Sequence, residues 1–147
     1  MLKLANKKAS ALTSKKTKAK IGILEMDRQW YQSAKRFLCP NFEISAINFQ
    51  DILFNNIDVG EYHSILVGCD IRDEAIDISA TLDLVTIIKK MSANPPALLL
   101  ITDYADSKIT VQARSYLPQI DGVFAKDQDL ALLLKIMKII AKQKYFK

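Results

Sequence analysis

Short apolar segments alternate along the chain with longer amphipathic segments. A short apolar run predicts a buried strand, and apolar residues that recur every three or four positions predict one face of a helix. The predicted strands cover residues 21–25, 43–49, 64–69, 95–101 and 122–125. The predicted helices cover residues 28–38, 49–56, 73–93, 107–117 and 129–146. This alternation predicts one parallel sheet whose crossover helices cover both faces.

We therefore predict an α/β fold, a doubly wound five-stranded parallel sheet in three αβα layers. The chain has 147 residues, half of them apolar, which suits one domain with a sizeable core. No run of about 18 apolar residues predicts a transmembrane helix, and the amino-terminal segment lacks the apolar core of a secretory signal. Two cysteines without a CxxC pair predict a reduced, cytoplasmic protein.

Positive charge is concentrated at the amino terminus. Residues 1–20 carry seven lysines and no acidic residue, whereas the rest of the chain carries 14 basic and 16 acidic residues. We predict a basic, flexible tail at residues 1–18 and one folded domain at residues 19–147. The tail either solubilises the protein or binds nucleic acid, an anionic surface or an acidic partner. No aromatic residue stands among its lysines, so stacking on bases is not indicated.

Carboxylate, hydroxyl and ammonium groups stand at the predicted carboxyl ends of the strands, where doubly wound sheets bind ligands. In chain order these residues are Glu25, Asp27, Asp70, Thr102, Asp103 and Lys126. Carboxylates hold Mg²⁺ through hard oxygen ligands, and a hydroxyl and an ammonium group engage phosphoryl oxygens. A site for Mg²⁺ and a phosphoryl group is therefore one hypothesis for this edge.

Three motifs in chain order give the sequence a resemblance to the receiver domain of bacterial response regulators, the CheY-like family of two-component signal transduction. The motifs are IGILEMD at residues 21–27, LLLIT at residues 98–102 and GVFAK at residues 122–126. The resemblance spans residues 19–143. It implies a phosphoacceptor aspartate at the end of the third strand, with Thr102 and Lys126 at the positions that contact the phosphoryl group.

Counting along the third strand favours Gly68 over Asp70 at the acceptor position. In the family this residue lies five positions after the start of the third strand, and counting from His63 places Gly68 there. Asp70 would lie on the same side of the strand about 6–7 Å further along, because each residue adds roughly 3.3 Å. Two hypotheses stay open: either the acceptor has been lost at Gly68, or Asp70 takes the phosphoryl group.

Four other positions depart from the pattern of the family. Met26 replaces an acid and cannot ligate Mg²⁺, and Asp103 puts a negative charge where the family has a small residue. Asp127 replaces a proline, and Val123 stands at the aromatic switch position. The chain is similar to atypical receivers in which a glycine replaces the acceptor, and we interpret it as a degenerate member, a pseudo-receiver.

The predicted function is that of a stand-alone, non-enzymatic signalling domain that works without phosphorylation, through protein–protein interaction. The resemblance implies that a partner protein, or a second copy in a homodimer, uses the face of helix 4, strand 5 and helix 5. The alternative is a divergent receiver in a phosphorelay, phosphorylated on Asp70, with Mg²⁺ held by Glu25, Asp27 and Asp70; otherwise no cofactor is expected. A flavodoxin-like binder of small molecules is disfavoured because no glycine-rich loop follows the first strand.

Several of these residues also have purely structural interpretations. Lys126 is expected to pair with Glu25 or Asp27 without any phosphoryl group, and Asp70 is expected to be a loop acid or a helix cap. We expect Cys69 to be buried and inert and His63 to lie on the surface. The last helix is expected to bury Leu130, Leu132, Leu133, Ile136, Ile139 and Ile140 and to expose Lys135, Lys138, Lys142 and Lys144.

Overall fold

The described part of the molecule covers most of the predicted domain. The computed structural model describes residues 18–25, 27–69, 79–117 and 119–145. Residues 1–17 of the predicted tail, Met26, Asp70 and the first part of the predicted third helix lie outside these ranges. No helix within them is long and apolar enough to cross a membrane.

Five parallel strands form one sheet. They are β1 (Lys20–Leu24), β2 (Glu43–Ala46), β3 (Ser64–Gly68), β4 (Ala97–Thr102) and β5 (Gly122–Ala125). Their order in the sheet is β2-β1-β3-β4-β5, so the direction of winding reverses between β1 and β3. Ligand crevices of doubly wound sheets lie at such a reversal. The predicted doubly wound, five-stranded parallel sheet is confirmed.

Within the described residues, five α-helices connect or follow the strands. They are α1 (Arg28–Leu38), α2 (Phe49–Leu53), α3 (Ser79–Lys90), α4 (Lys108–Arg114) and α5 (Leu130–Tyr145). A short 3₁₀ helix at Val59–Glu61 precedes β3. The helices lie on both faces of the sheet, which gives the predicted three layers.

Alternate strand residues divide the core into two halves. Ile65 and Val67 of β3 pack under α2, α3 and α4, whereas Leu66 packs on the opposite face with α1 and α5. Leu98 and Leu99 of β4 are divided between the two faces in the same way. Every residue of β4 is buried, as expected for a strand with a neighbour on each side and helices on each face.

Local capping makes β2 and α2 shorter than the sequence pattern predicts. The Asn48 side chain accepts a hydrogen bond from the backbone N of Asp51 at 3.0 Å, and the Asp51 side chain accepts one from the backbone N of Asn48. This reciprocal cap starts a helix, so the strand ends at Ala46. Asn55 has a φ of 55°, a left-handed conformation that cannot continue a helix.

His63 is buried, and the prediction of a surface residue was wrong. The residue is 8% exposed, and Nδ1 lies 2.7 Å from Oγ of Ser64. Its backbone N–H donates to Lys20 at 2.8 Å, and its carbonyl accepts from Ala97 at 3.0 Å. The sheet hydrogen bonds therefore begin one residue before β3 and hold His63 between β1 and the start of β4.

One predicted core face, that of α5, needs a correction. Leu133, Met137 and Ile140 are buried, whereas Leu132 and Ile139 are 38% and 51% exposed. The buried residues are spaced by four and three positions and form one stripe along the helix. Residues 132 and 139 lie one position before members of that stripe, which turns them about 100° away from the sheet.

Two neighbouring leucines of α5 provide a matched test of this packing. Leu133→Ala is expected to lower the free energy of unfolding by about 2–5 kcal/mol, because it leaves a cavity in the core. Leu132→Ala, the control, is expected to cost less than about 1 kcal/mol. Urea denaturation followed by circular dichroism measures both values, and equal losses would contradict the observed orientation of α5.

Candidate functional site

Four strands bring residues that are distant in the sequence to one edge of the sheet. The register of β1 with β3 places Glu25 beside Gly68. The register of β4 with β5 places Asp103 beside Lys126. The candidate site is therefore the carboxyl edge of the sheet, across β1, β3, β4 and β5.

The ammonium group of Lys126 lies among three carboxylates. Its Nζ is 3.1 Å from Oε2 of Glu25, 3.4 Å from Oδ1 of Asp103 and 3.7 Å from Oδ2 of Asp27. The predicted ion pair of Lys126 with Glu25 or Asp27 is confirmed, and Asp103 joins it. One cation thus holds together the ends of β1, β4 and β5.

The surrounding charges fix Lys126 as a cation. Burial alone would lower the pKa of Lys126, because desolvation penalises the charged form. The hydrogen bond to Glu25 and the negative charges of Glu25, Asp103 and Asp27 outweigh this effect, so the pKa is raised above its ordinary value. Lys126 therefore stays protonated at physiological pH.

The carboxylate of Glu25 is anchored through one of its two oxygens. The side chain is only 6% exposed, and Oε2 accepts from Lys126 and from the backbone N of Asp27 at 2.8 Å. Asp27 in turn caps α1 by accepting from the backbone N of Trp30 at 3.1 Å. Among the described residues, the other oxygen of Glu25, Oε1, has no hydrogen-bond partner.

This carboxylate fills the space in front of Gly68. A Cβ atom placed on Gly68 would overlap Oε1 of Glu25, and it would stand 2.8 Å from Cδ of Glu25 and 3.3 Å from the backbone oxygen of Leu24. Glu25 cannot swing aside without breaking its hydrogen bonds to Lys126 and Asp27. Glycine is therefore the residue that fits here, and Glu25 occupies the place that an acceptor side chain at this position would need.

The described acids do not fit a Mg²⁺ ion. Glu25, Asp27 and Asp103 each turn an oxygen toward the ammonium group of Lys126, which stands where a cation would bind. Across residues 18–25, 27–69, 79–117 and 119–145, no group of three or more His, Cys, Asp or Glu side chains could hold a metal ion. Asp70, the third predicted ligand, lies outside the described residues.

The hydroxyl of Thr102 is bound to α4. Thr102 is fully buried, and its Oγ1 lies 2.5 Å from Oγ1 of Thr110. Ser107 caps α4 by accepting from the backbone N of Thr110 at 3.1 Å. The described hydrogen bond of this hydroxyl is therefore to α4, whereas Thr102 meets Lys126 through the backbone, where the N–H of Lys126 donates to the Thr102 carbonyl at 2.7 Å. Sequence reasoning missed Thr110, although a serine three positions before it marks the start of a helix.

Asp127, which replaces a proline of the receiver family, has a structural role that the sequence analysis did not predict. Its Oδ1 accepts a hydrogen bond from the backbone N of Ala105 at 3.0 Å, which ties the turn after β5 to the turn after β4. Gln128 accepts from the backbone N of Ala125 at 3.0 Å. Consecutive polar residues before an apolar helix are typical of such side-chain-to-backbone hydrogen bonds. This sequence pattern could have predicted the structural role of Asp127.

A cavity of about 820 Å³ opens beside Glu25 and Gly68, between the sheet edge, α2 and α3. Cys69 lines it and is buried, as predicted. Burial raises the pKa of the Cys69 thiol from 9.0 to about 11, while a hydrogen bond to Thr81 opposes the shift. Cys69 is therefore a thiol rather than a thiolate at neutral pH.

Neither a known protein family nor a curated protein matches this sequence. The fold, in contrast, matches solved structures. The signal receiver domain of a protein described as a LuxO repressor, from Vibrio parahaemolyticus, is 11% identical, with a TM-score of 0.64, over 86% of this chain and 92% of that one. The BeF3-activated DrrB receiver domain is 14% identical, with a TM-score of 0.62, over 86% and 99% of the two chains.

One of the similar structures is that of an enzyme. The adenylate cyclase from Rhodopirellula baltica is 15% identical, with a TM-score of 0.63, over 86% of this chain and 89% of that one. Identities this low establish the fold alone. The chain therefore has the receiver-domain fold, and its activity has to be argued from the carboxyl edge of the sheet.

The contact between Glu25 and Gly68 predicts a measurable coupling. Gly68→Ala is expected to lower the free energy of unfolding by about 1–3 kcal/mol, because its methyl group forces the carboxylate aside. In a Glu25→Ala background the same change is expected to cost less than about 1 kcal/mol. Urea denaturation of the four proteins of this double-mutant cycle measures the coupling.

Gly122→Ala is the matched control, because a Cβ atom there would meet Leu99 at 3.3 Å and no atom of Glu25. Its cost is expected to be the same with and without Glu25. An equal cost of Gly68→Ala in both backgrounds would show that Glu25 does not fill the space in front of Gly68.

The two cysteines are expected to differ in reactivity at pH 8. The raised pKa of Cys69, about 11 instead of 9.0, reduces its thiolate about 100-fold, and the higher nucleophilicity of a more basic thiolate restores roughly tenfold. Burial slows the reaction further, so Cys69 should react with iodoacetamide at least about tenfold more slowly than an ordinary thiol. Peptide mass spectrometry measures both rates.

Cys39, which is exposed, is the internal reference for this rate, and both cysteines should react alike in denaturing urea. Equal rates in the folded protein would contradict the described burial of Cys69.

Proposed function

We propose that this protein is a receiver-like signalling module that works without phosphorylation, through protein–protein interaction in bacterial signal transduction. In this proposal it is a pseudo-receiver of the response-regulator type, acts in the cytoplasm and is not an enzyme. The similar structures support the receiver fold. The finer statements rest on the carboxyl edge of the sheet.

One observation carries the proposal: Glu25 occupies the space in front of Gly68. The residue at the usual acceptor position has no side chain to phosphorylate, and a larger residue there would meet the Glu25 carboxylate. The lysine that would bind a phosphoryl oxygen already binds three carboxylates. Because a phosphoryl group is anionic, Glu25 and Asp103 would also repel it.

The proposed interaction surface is the face of α4, β5 and α5. On α5, Leu132 and Ile139 are 38% and 51% exposed, and the lysines at positions 135, 138 and 142 are exposed beside them. Apolar residues flanked by positive charge favour an acidic partner protein with apolar contacts of its own. A homodimer through the same face would bring like charges together, so a different protein is the favoured partner.

The basic tail proposed at residues 1–18 would add to this positive charge. Its six lysines would strengthen binding to an acidic partner, a nucleic acid or an anionic surface in a salt-dependent way.

Incubation with acetyl phosphate and Mg²⁺ tests whether the protein accepts a phosphoryl group. Because the space at Gly68 is filled and Lys126 is already paired, we expect no increase in intact mass. We also expect no change in the amide resonances of Gly68 and Lys126 when beryllofluoride and Mg²⁺ are added. The DrrB receiver domain, which beryllofluoride activates, is the positive control.

The Asp70→Ala variant separates the outcomes that would contradict the proposal. A gain in mass that disappears in this variant would establish the alternative, a divergent receiver phosphorylated on Asp70, with Glu25, Asp27 and Asp70 as Mg²⁺ ligands. A gain that persists in the variant would show that another residue is the acceptor, and it would equally overturn phosphorylation independence.

A further inference from the structure

We propose that the outer surface of α1 and α5, together with the basic tail, binds the phosphate backbone of double-stranded DNA. This inference goes beyond the proposed function and does not depend on it, because it involves neither Glu25 nor Gly68.

The charges of the chain are unevenly distributed among its segments. Residues 1–18, α1 and α5 carry 13 of the 21 basic residues and none of the 16 acidic residues. The rest of the chain therefore carries eight basic and 16 acidic residues. Positive charge that is concentrated in part of an otherwise acidic chain is typical of a protein that binds a polyanion.

The three basic segments are neighbours in the structure. Ala34 and Leu38 of α1 pack on the same face of the sheet as Leu133 of α5, and the two helices contact each other. The Nζ atom of Lys18 donates a hydrogen bond to the backbone oxygen of Cys39 at 2.9 Å, so the tail joins the domain beside the carboxyl end of α1. The exposed basic residues of the two helices are Arg28, Lys35, Arg36, Lys135, Lys138 and Lys142.

Acidic residues lie at the borders of this surface. Asp27 and Asp129 come just before α1 and α5, and Asp27 pairs with Lys126. Glu43 lies beside Lys20 in the register of β1 with β2. These acids confine the positive surface to the outer sides of the two helices and to their carboxyl ends, where the tail begins.

The outward row of α1 has the chemistry of a phosphate-binding surface. Arg28, Gln32 and Arg36 follow one another every four residues, with Gln29 and Ser33 beside them, and all five are exposed. Guanidinium groups bind phosphate oxygens through two parallel hydrogen bonds, and amide and hydroxyl side chains also donate to phosphates. The row has no apolar residue of the kind that forms the centre of a protein interface or inserts into a membrane. A nucleic-acid backbone therefore fits this row better than an acidic protein or a lipid surface.

Duplex DNA is favoured over a single strand. Proteins bind single strands by stacking the bases on aromatic side chains. The outward row of α1 and the tail contain no aromatic residue, and Trp30 is half-buried with its ring centroid 6.5 Å from that of Phe124. Contacts to the phosphate backbone alone do not read the bases, so we expect binding without sequence preference.

Fluorescence anisotropy with a labelled DNA duplex of about 20 base pairs tests the proposal on the full chain. Binding is expected to weaken by at least about 100-fold between roughly 50 and 200 mM salt, as for about four phosphate contacts. Duplexes of unrelated sequence are expected to bind alike. No saturable binding at the lowest salt concentration, or binding that salt does not weaken, would overturn the proposal.

Two matched double variants locate the surface. Arg28→Gln with Arg36→Gln is expected to weaken binding about tenfold or more and to reduce the salt slope by about two. Lys90→Gln with Lys108→Gln removes the same charge from α3 and α4, where both lysines are exposed on the other side of the sheet. This control is expected to change the affinity less than about twofold, because charges beyond the Debye length are screened. Glutamine has nearly the helix propensity of arginine and lysine, so both proteins are expected to fold.

Equal affinities and salt slopes of the two double variants would overturn the role of α1 and leave the tail as the contact. Arg28→Lys with Arg36→Lys keeps both charges and is expected to keep the salt slope, whereas a slope reduced by about two would overturn the role of charge. Vesicles that contain phosphatidylserine are the competitor. If they displace the duplex at an equal or lower phosphate concentration, a lipid surface is the better partner and the choice of DNA is wrong. Because α1 lies outside the face of α4, β5 and α5, these results do not bear on the proposed function.

Discussion

The ion pair between Lys126 and Glu25 is the interaction on which the carboxyl edge of this sheet depends. It joins the end of β1 to the end of β5 across the two strands between them. The pair contributes little net stability in general, but loss of Lys126 would leave the buried Glu25 carboxylate without its cation, which is strongly destabilising. Loss of Glu25 would leave Lys126 paired with Asp27 and Asp103. The main effect of the pair is positional, since it holds the Glu25 carboxylate over Gly68 and makes glycine the residue that fits there.

The other polar side chains at this edge form hydrogen bonds within the protein. Thr102 contacts Thr110 in α4, Asp27 caps α1, and Asp127 joins two neighbouring turns. The edge thus carries residue types suited to phosphoryl chemistry, while their hydrogen bonds stabilise turns and helix ends. Among the described groups at this edge, Oε1 of Glu25 is the acceptor without a partner, and it lies buried against Gly68.

The fold could be predicted from the sequence because apolar spacing alone separates strands from helices. The bounds of α1 agree with the prediction at both ends, since Asp27 caps its start. The orientation of α5 could not be read from "LALLL", because consecutive apolar residues define no single face, and only packing distinguishes Leu132 from Leu133. Of the residues predicted at this edge, Glu25, Asp27, Asp103 and Lys126 lie together. Their geometry was not predicted, because the position of Glu25 over Gly68 follows from the register of β1 with β3, which no local pattern specifies.

The cation at this edge is part of the chain. A bound metal ion exchanges with its surroundings and is occupied according to its concentration, whereas Lys126 is present at its site in every folded molecule. Among the described groups, the positive charge of this edge is therefore in place as soon as the protein folds, without a bound ion.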